Sequence, residues 1–155
     1  MFNEGESNPD KKEIEERKTI EVWILDDNEA LTESQLRSWD LAGENFGFDS
    51  YTTAKEALSV IEEKIQKQES LPYVIFVDGN LDQDEGELKD GANFVIKVRK
   101  LEIPQPMLIA HSNSKSANER MMQSGADLTM VKGTETTLRD YLKFFQSLEI
   151  KSSEH

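Results

Sequence analysis

The sequence contains no cysteine. That excludes disulfides, thiolate nucleophiles, zinc–thiolate sites and iron–sulfur clusters. It also lacks any run of about 18 apolar residues, the length a membrane-spanning helix needs. Basic charge is scarce, with 18 Lys and Arg against 31 Asp and Glu and a net charge of −13. Nucleic acid and anionic membranes are bound chiefly through clustered Lys and Arg, and no basic stripe with interleaved aromatics is present. Neither is expected as a partner; the charge suits solubility and partners with basic faces. The first residues, Met1 to Arg17, are polar and hold no apolar leader segment, so a cytoplasmic protein is expected. A length of 155 residues suits one domain with a proper core.

Residues 1–18 (MFNEGESNPDKKEIEERK) are charged and proline-containing, and read as a disordered arm. Residues 151–155 read as a short tail, leaving one domain over 19–150. Within it strand and helix signals alternate. Strands are expected at about 20–25, 48–51, 73–77, 107–111 and 128–131. Helices are expected at about 28–42, 54–68, 91–101, 116–124 and from Thr134–Thr137 onward. Asp27 or Asn28, Thr52 or Thr53, and Ser114 or Ser116 are candidate helix caps. Leu31, Gln35, Leu36, Trp39 and Ala42 share one helical face. So do Ala54, Ala57, Leu58, Ile61 and Ile65; Ala92, Val95, Ile96 and Val98; and Leu138, Tyr141, Leu142, Phe145 and Leu148. Five such βα units imply an α/β, flavodoxin-like (βα)5 fold. This is a doubly wound parallel sheet of strand order 2-1-3-4-5.

The strands themselves carry the chemical signal. Continuous apolar runs such as Glu21-Val-Trp-Ile-Leu25 and Tyr73-Val-Ile-Phe-Val77 suit strands buried on both faces. The first runs into Asp26-Asp27 and the second into Asp78. Leu128-Thr-Met-Val131 ends on Lys132, and Met107-Leu-Ile-Ala110 on His111-Ser112. Ligands of such sheets bind beyond the carboxyl ends of the strands, so these groups are expected to converge. Crowded carboxylates repel unless a cation joins them. Asp26, Asp27 and Asp78 form an oxygen-rich set of the kind Mg²⁺ prefers. Asp78 is a candidate nucleophile, because carboxylates form aspartyl phosphates. Phosphoryl transfer needs its equatorial oxygens neutralised. The cation, Lys132 and the Ser112 hydroxyl could each take one.

With these motifs in this order, the chain resembles the receiver domains of two-component response regulators. The resemblance spans roughly residues 20–148. It rests on Asp26-Asp27, Asp78 in YVIFVDGN, Ser112 in LIAHSN and Lys132 in TMVK. Thr53-Ala-Lys-Glu-Ala-Leu58 and Gly125-Ala126-Asp127 add to it. The resemblance implies a stand-alone, non-enzymatic switch in which Asp78 accepts a phosphoryl group from a histidine kinase or histidine phosphotransfer protein. It implies that Asp27 and Asp78 ligate Mg²⁺ directly, Asp26 through water, and the Asn80 main-chain carbonyl completes the set. Lys132 would pair with the phosphoryl oxygens, and Ser112 would turn toward them. Output is expected through protein binding at the face of the fourth helix, fifth strand and fifth helix, with Met121, Met122, Tyr141 and Phe144 or Phe145 as apolar contacts.

The chain departs from the family pattern in several places. Gly133 follows Lys132 where the family has proline, and Thr129 stands where it has a switch aromatic. The segment Ser112–Gly125 is about two residues short, so a short or displaced fourth helix is expected. An acidic insertion, Asp82-Gln-Asp-Glu-Gly-Glu-Leu-Lys-Asp90, replaces a brief turn and is expected to lengthen one wall of the site. Asp78, Asn80 and Asp82 match three positions of an EF-hand loop, but Gln83 replaces its glycine and Lys89 its bidentate Glu. His111 is expected to be packed or hydrogen-bonded rather than a base. Two other readings remain: a degenerate receiver used for docking, and a haloacid-dehalogenase-type phosphatase. Against the latter, Asn80 stands where that chemistry needs a second Asp.

Overall fold

In a computed structural model, residues 19–153 are described. The expected arm, 1–18, and residues 154–155 of the expected tail lie outside the described residues. Five strands, β1 (Ile20–Leu25), β2 (Phe46–Tyr51), β3 (Val74–Val77), β4 (Met107–Ala110) and β5 (Leu128–Thr129), form one sheet. Its order is β2-β1-β3-β4-β5, and every pairing is parallel. The helices between and after them are α1 (Glu29–Trp39), α2 (Ala54–Gln66), α3 (Gly91–Arg99), α4 (Lys115–Gln123) and α5 (Leu138–Ser153). The expected fold class and strand order are therefore observed.

Alternation along the strands divides the core in two. Trp23, Leu25, Ile75, Val77, Leu108 and Ala110 face one side, where they meet Ala57 and Ile61 of α2, Phe94, Val95 and Val98 of α3, and Met121 of α4. Val22, Ile24, Val74, Phe76 and Ile109 face the other, against Trp39 of α1 and Tyr141, Phe145 and Leu148 of α5. The period of two places neighbours on opposite faces, so each βα unit supplies both halves. The α1/α5 side is unusually aromatic: Trp39 packs against Phe76, Tyr141 and Phe145 with ring centres 4.8, 4.9 and 5.1 Å away.

Several boundaries move, each for a local reason. β2 starts two residues earlier than expected, because Gly47 continues the strand opposite Glu21. Phe46 is buried and pairs with Ile20, and a side chain at 47 would press on the Thr19 methyl. The strand at 128–131 shortens to two residues, although Met130 N–H still donates to Ala110 and Lys132 N–H to Ser112. Residues 40–42, read as helix, form a 3-10 turn. The loop from Gly79 to Asp90 contains a second one, Gly86–Lys89. α5 runs on to Ser153, so residues 151–153 of the expected tail are helical. α4 has nine residues and is short, as expected. Leu31, Ile65 and Leu138, expected on inward faces, are exposed at 37%, 38% and 38%.

Asn28, Thr53 and Ser114 are the caps, accepting from the N–H groups of Leu31, Glu56 and Ala117. Two glycines set the approach of helices to the end of β3. A Cβ at Gly79 would collide with the Ala117 side chain of α4, and one at Gly91 with the Asp78 carbonyl oxygen. Gly91 also donates its N–H to the Gly79 carbonyl at 3.0 Å. Gly91→Ala is therefore expected to lower stability by about 1–3 kcal/mol, the usual range for overpacking. Urea denaturation checks this; an unchanged midpoint would contradict the close approach.

Candidate functional site

The sheet's hydrogen bonding continues one step beyond each strand and so fixes where the polar groups stand. Asp26 N–H donates to the Tyr51 carbonyl, Asp78 N–H to Leu25, His111 N–H to Val77 and Lys132 N–H to Ser112, at 2.9–3.1 Å. Of the strand-end groups expected to converge, Asp26, Asp27, Asp78 and Lys132 do. Oxygen atoms of Asp26, Asp27 and Asp78 lie within 4.8 Å of one another. Lys132 Nζ bridges two of them, at 2.8 Å from Asp26 Oδ2 and 3.1 Å from Asp78 Oδ2. Its side chain is 10% exposed, and those of Asp26 and Asp78 are 1% and 7% exposed.

Burial and the neighbouring charge of Asp26 hold the Asp78 carboxyl above the ordinary carboxylate range; Lys132 and the Asn80 N–H pull the other way without overcoming them. Burial pulls the Lys132 ammonium down, but hydrogen bonds and charges from Asp26 and Asp78 outweigh it and hold the pKa raised. One ammonium thus pairs with two of the three clustered carboxylates. The set has the chemistry and spacing that fit a divalent, oxygen-preferring cation.

Asp27 is held differently. Its Oδ2 accepts the Asp82 N–H at 2.8 Å, and its carbonyl accepts from Gln83 Nε2 at 3.0 Å. The acidic insertion therefore straps across the site instead of extending a wall outward. Leu81 is fully buried beneath it, and buried Asp84 turns away to accept the Ala54 and Lys55 N–H groups at the start of α2. Asn80 is exposed, and its N–H reaches Asp78 Oδ1 at 3.4 Å. It sits in an isolated bridge opposite Asp90. The two backbone bonds flanking that bridge belong to Leu81 and Gly91, not to Asn80.

Ser112 is completely buried. Its Oγ accepts the Ser114 N–H at 3.1 Å, and its main chain is paired with the amide of Asn118. His111, 1% exposed, shares a 2.7 Å hydrogen bond with the Tyr141 hydroxyl. Burial, with Lys132 nearby, lowers its pKa to about 3, so the imidazole is neutral. Burial raises the Tyr141 phenol to about 12. As expected, His111 is packed and bonded. The expected output contacts need correction: Met121, Tyr141 and Phe145 are buried at 0%, 5% and 0%, because both core clusters claim them, while Met122 is exposed and Phe144 half-buried.

Sequence reasoning missed Asp84 and Asn118. Asp84's partners lie 29 and 30 residues upstream, so no local cap pattern reveals it. Asn118 does carry a faint signal, a polar residue between inward Ala117 and Met121.

No family model matches the sequence, and no curated protein matches it. Solved structures do. A CheY-like response regulator receiver domain protein from Methanospirillum hungatei JF-1 superposes at TM-score 0.64 with 22% identity, covering 87% of this chain and 98% of its own. The chain has the fold of response regulator receiver domains. The response regulatory domain of mrkE from Klebsiella pneumoniae gives a TM-score of 0.68 at 12% identity, over 87% and 99% of the two chains. A response regulator from Burkholderia pseudomallei, solved with a phosphorylated aspartic acid, calcium ion and citrate, gives 0.61 at 18% identity, over 86% and 72%. In this receiver fold no helix among the described residues is long and apolar enough to cross a membrane.

Two outcomes follow from the electrostatics. A raised carboxyl pKa in the fold favours the protonated form, so the ionised Asp78 costs stability once the pH exceeds that pKa. Asp78→Asn is therefore expected to stabilise the protein at neutral pH, and the gain should vanish at acid pH, where the carboxyl is protonated in both states. Thermal melts across pH check this; an equal or lower Tm at pH 7 would contradict it. His111 has the opposite sign. Its pKa falls from 6.5 to about 3 on folding, so stability present above 6.5 is lost as the pH drops through that window. Relative to His111→Gln, the wild type should lose about 2 kcal/mol between pH 7 and pH 5, read from urea midpoints at each pH.

Proposed function

We propose that the chain is a phosphorylation-dependent signalling switch in which Asp78 is the phosphoacceptor. The observation that supports this most directly is the convergence of Asp78, Asp26, Asp27 and Lys132 at one sheet edge. The Asp78 carboxylate attacks the phosphorus of a phosphohistidine on a histidine kinase or phosphotransfer protein. The P–O bond forms as the P–N bond breaks; the departing ring nitrogen keeps the electron pair, and the imidazole leaves neutral because its other nitrogen has taken a proton from solvent. Asp78 needs no general base, because only its ionised form attacks.

Asp26, Asp27, Asp78 and the Asn80 carbonyl are the ligands we assign to a divalent cation, with Mg²⁺ the fitting choice for an all-oxygen set that keeps water ligands. When bound, it neutralises charge on the phosphoryl oxygens. Asp26 keeps the Lys132 ammonium beside the nucleophile through the 2.8 Å ion pair. As the phosphoryl group arrives, Lys132 moves its attraction from the Asp78 carboxylate to a phosphoryl oxygen. The Asp82 N–H on its carboxylate and the Gln83 side-chain amide on its carbonyl keep Asp27 at the rim without a like-charged side chain as its partner. Ser112, buried beside Gly79, supplies a hydroxyl for another oxygen. Output proceeds by protein binding at the face formed by α4, β5 and α5. There a groove of about 700 Å³ runs past Lys115, Met122, Thr129 and Glu135. The acidic surface favours a target with a basic face, in the cytoplasm.

Incubation with acetyl phosphate and Mg²⁺, followed by intact mass, tests the proposal. The wild type is expected to gain about 80 Da, the mass of one phosphoryl group. The gain should vanish in Asp78→Asn and on removal of the cation with EDTA. Lys132→Ala should slow it by on the order of 10²-fold, as loss of a positioned charge does. No adduct and no cation binding would leave a docking module without phosphorylation. Turnover of a generic phosphomonoester would favour a phosphatase.

A further inference from the structure

Asn118 lies in α4, 4% exposed, and its amide makes a paired contact with one residue. Nδ2 donates to the Ser112 carbonyl at 2.9 Å, and Oδ1 accepts the Ser112 N–H at 3.0 Å. The same carbonyl accepts the Lys132 N–H at 3.1 Å. Ser112's hydroxyl accepts the N–H of Ser114, and Ser114 in turn caps α4 through Ala117. Ser112 is thus joined to α4 twice, at its cap and at Asn118, and to the Lys132 segment once. The turn carrying Asn118 also presses on the acceptor strand, because Ala117 fills the space a side chain at Gly79 would need.

We infer that Asn118 is the positioning residue that passes the state of Asp78 to α4. The inference rests on the phosphoacceptor reading above. The Ser112 hydroxyl accepts the Ser114 N–H and can donate its own hydrogen to a phosphoryl oxygen. Any accompanying shift of the Ser112 main chain either carries Asn118 with it or leaves buried polar groups unpaired, which is costly. Coupled movement of α4 is the alternative that keeps both bonds. Asn118 also lines the groove between α4 and β5, together with Thr129 and Val131. Position 129 carries only a small side chain there, so the amide of Asn118, not a ring on β5, reports the change to the groove.

Hydrogen–deuterium exchange of peptides spanning 113–124, with and without beryllofluoride and Mg²⁺, tests this alongside the intact-mass assay. In the wild type, loading is expected to change exchange across α4. In Asn118→Ala, the acetyl phosphate adduct should form to the wild-type extent while that change is abolished. Asn118→Asp keeps the shape and the acceptor but loses the donor; it should also lose the response, and it decides the matter if the alanine variant does not fold. An α4 response that survives in a variant, or a wild-type adduct with no response, overturns the role of Asn118. Absence of any wild-type adduct overturns the phosphoacceptor reading and this inference with it, so the adduct separates the two failures.

Discussion

The bridge from Lys132 to Asp26 and Asp78 is the contact on which the rest of the site depends. Two buried carboxylates cannot share a sheet edge without a counter-charge, and the ammonium at 2.8 and 3.1 Å is the counter-charge present. It arrives from the far side of the sheet, across β3 and β4. Its position therefore relies on β5, a strand of two residues, and on the Lys132–Ser112 backbone bond that extends it. The weakest strand delivers the most consequential charge. Gly133 follows at a φ of +119°, a conformation that suits glycine and turns the chain away at once.

The two faces of the sheet serve the site unequally. On the α1/α5 side, Trp39, Phe76, Tyr141 and Phe145 interlock around the neutral His111. That packing gives a stiff backing that excludes water from the end of β4. On the other side, α3 and α4 approach β3 through glycines, with fewer large rings between them.

Much of this arrangement was legible in the sequence. Apolar runs ending in charge located Asp26, Asp27, Asp78 and Lys132, because strand ends in a parallel sheet share one edge. Helical periodicity located Ala57, Ile61 and Val95 as core. It misplaced Leu31, Ile65 and Leu138, which lie at the margins of their apolar stripes, where a few tens of degrees decide exposure. Met121, Tyr141 and Phe145 read equally well as core or surface; only packing chose. The strap over Asp27 was illegible because its partners lie 55 and 56 residues away and the Asp82 donor is a main-chain group, which carries no residue identity to read. Asn118 left only a faint signal, because its partner is the main chain of Ser112.

The strap has a consequence for how the protein assembles. Asp84 satisfies the first N–H groups of α2, which precede it by 29 and 30 residues, while its neighbours Asp82 and Gln83 bind Asp27, 55 and 56 residues back. Thr53 starts α2 locally, but the helix is completed only when the segment after β3 returns over it. Contacts of such separation form late, because the loops they close must be ordered first. The second helix and the acidic rim are therefore tied to each other, since any opening that frees Asp84 leaves the Ala54 and Lys55 N–H groups unpaired as well.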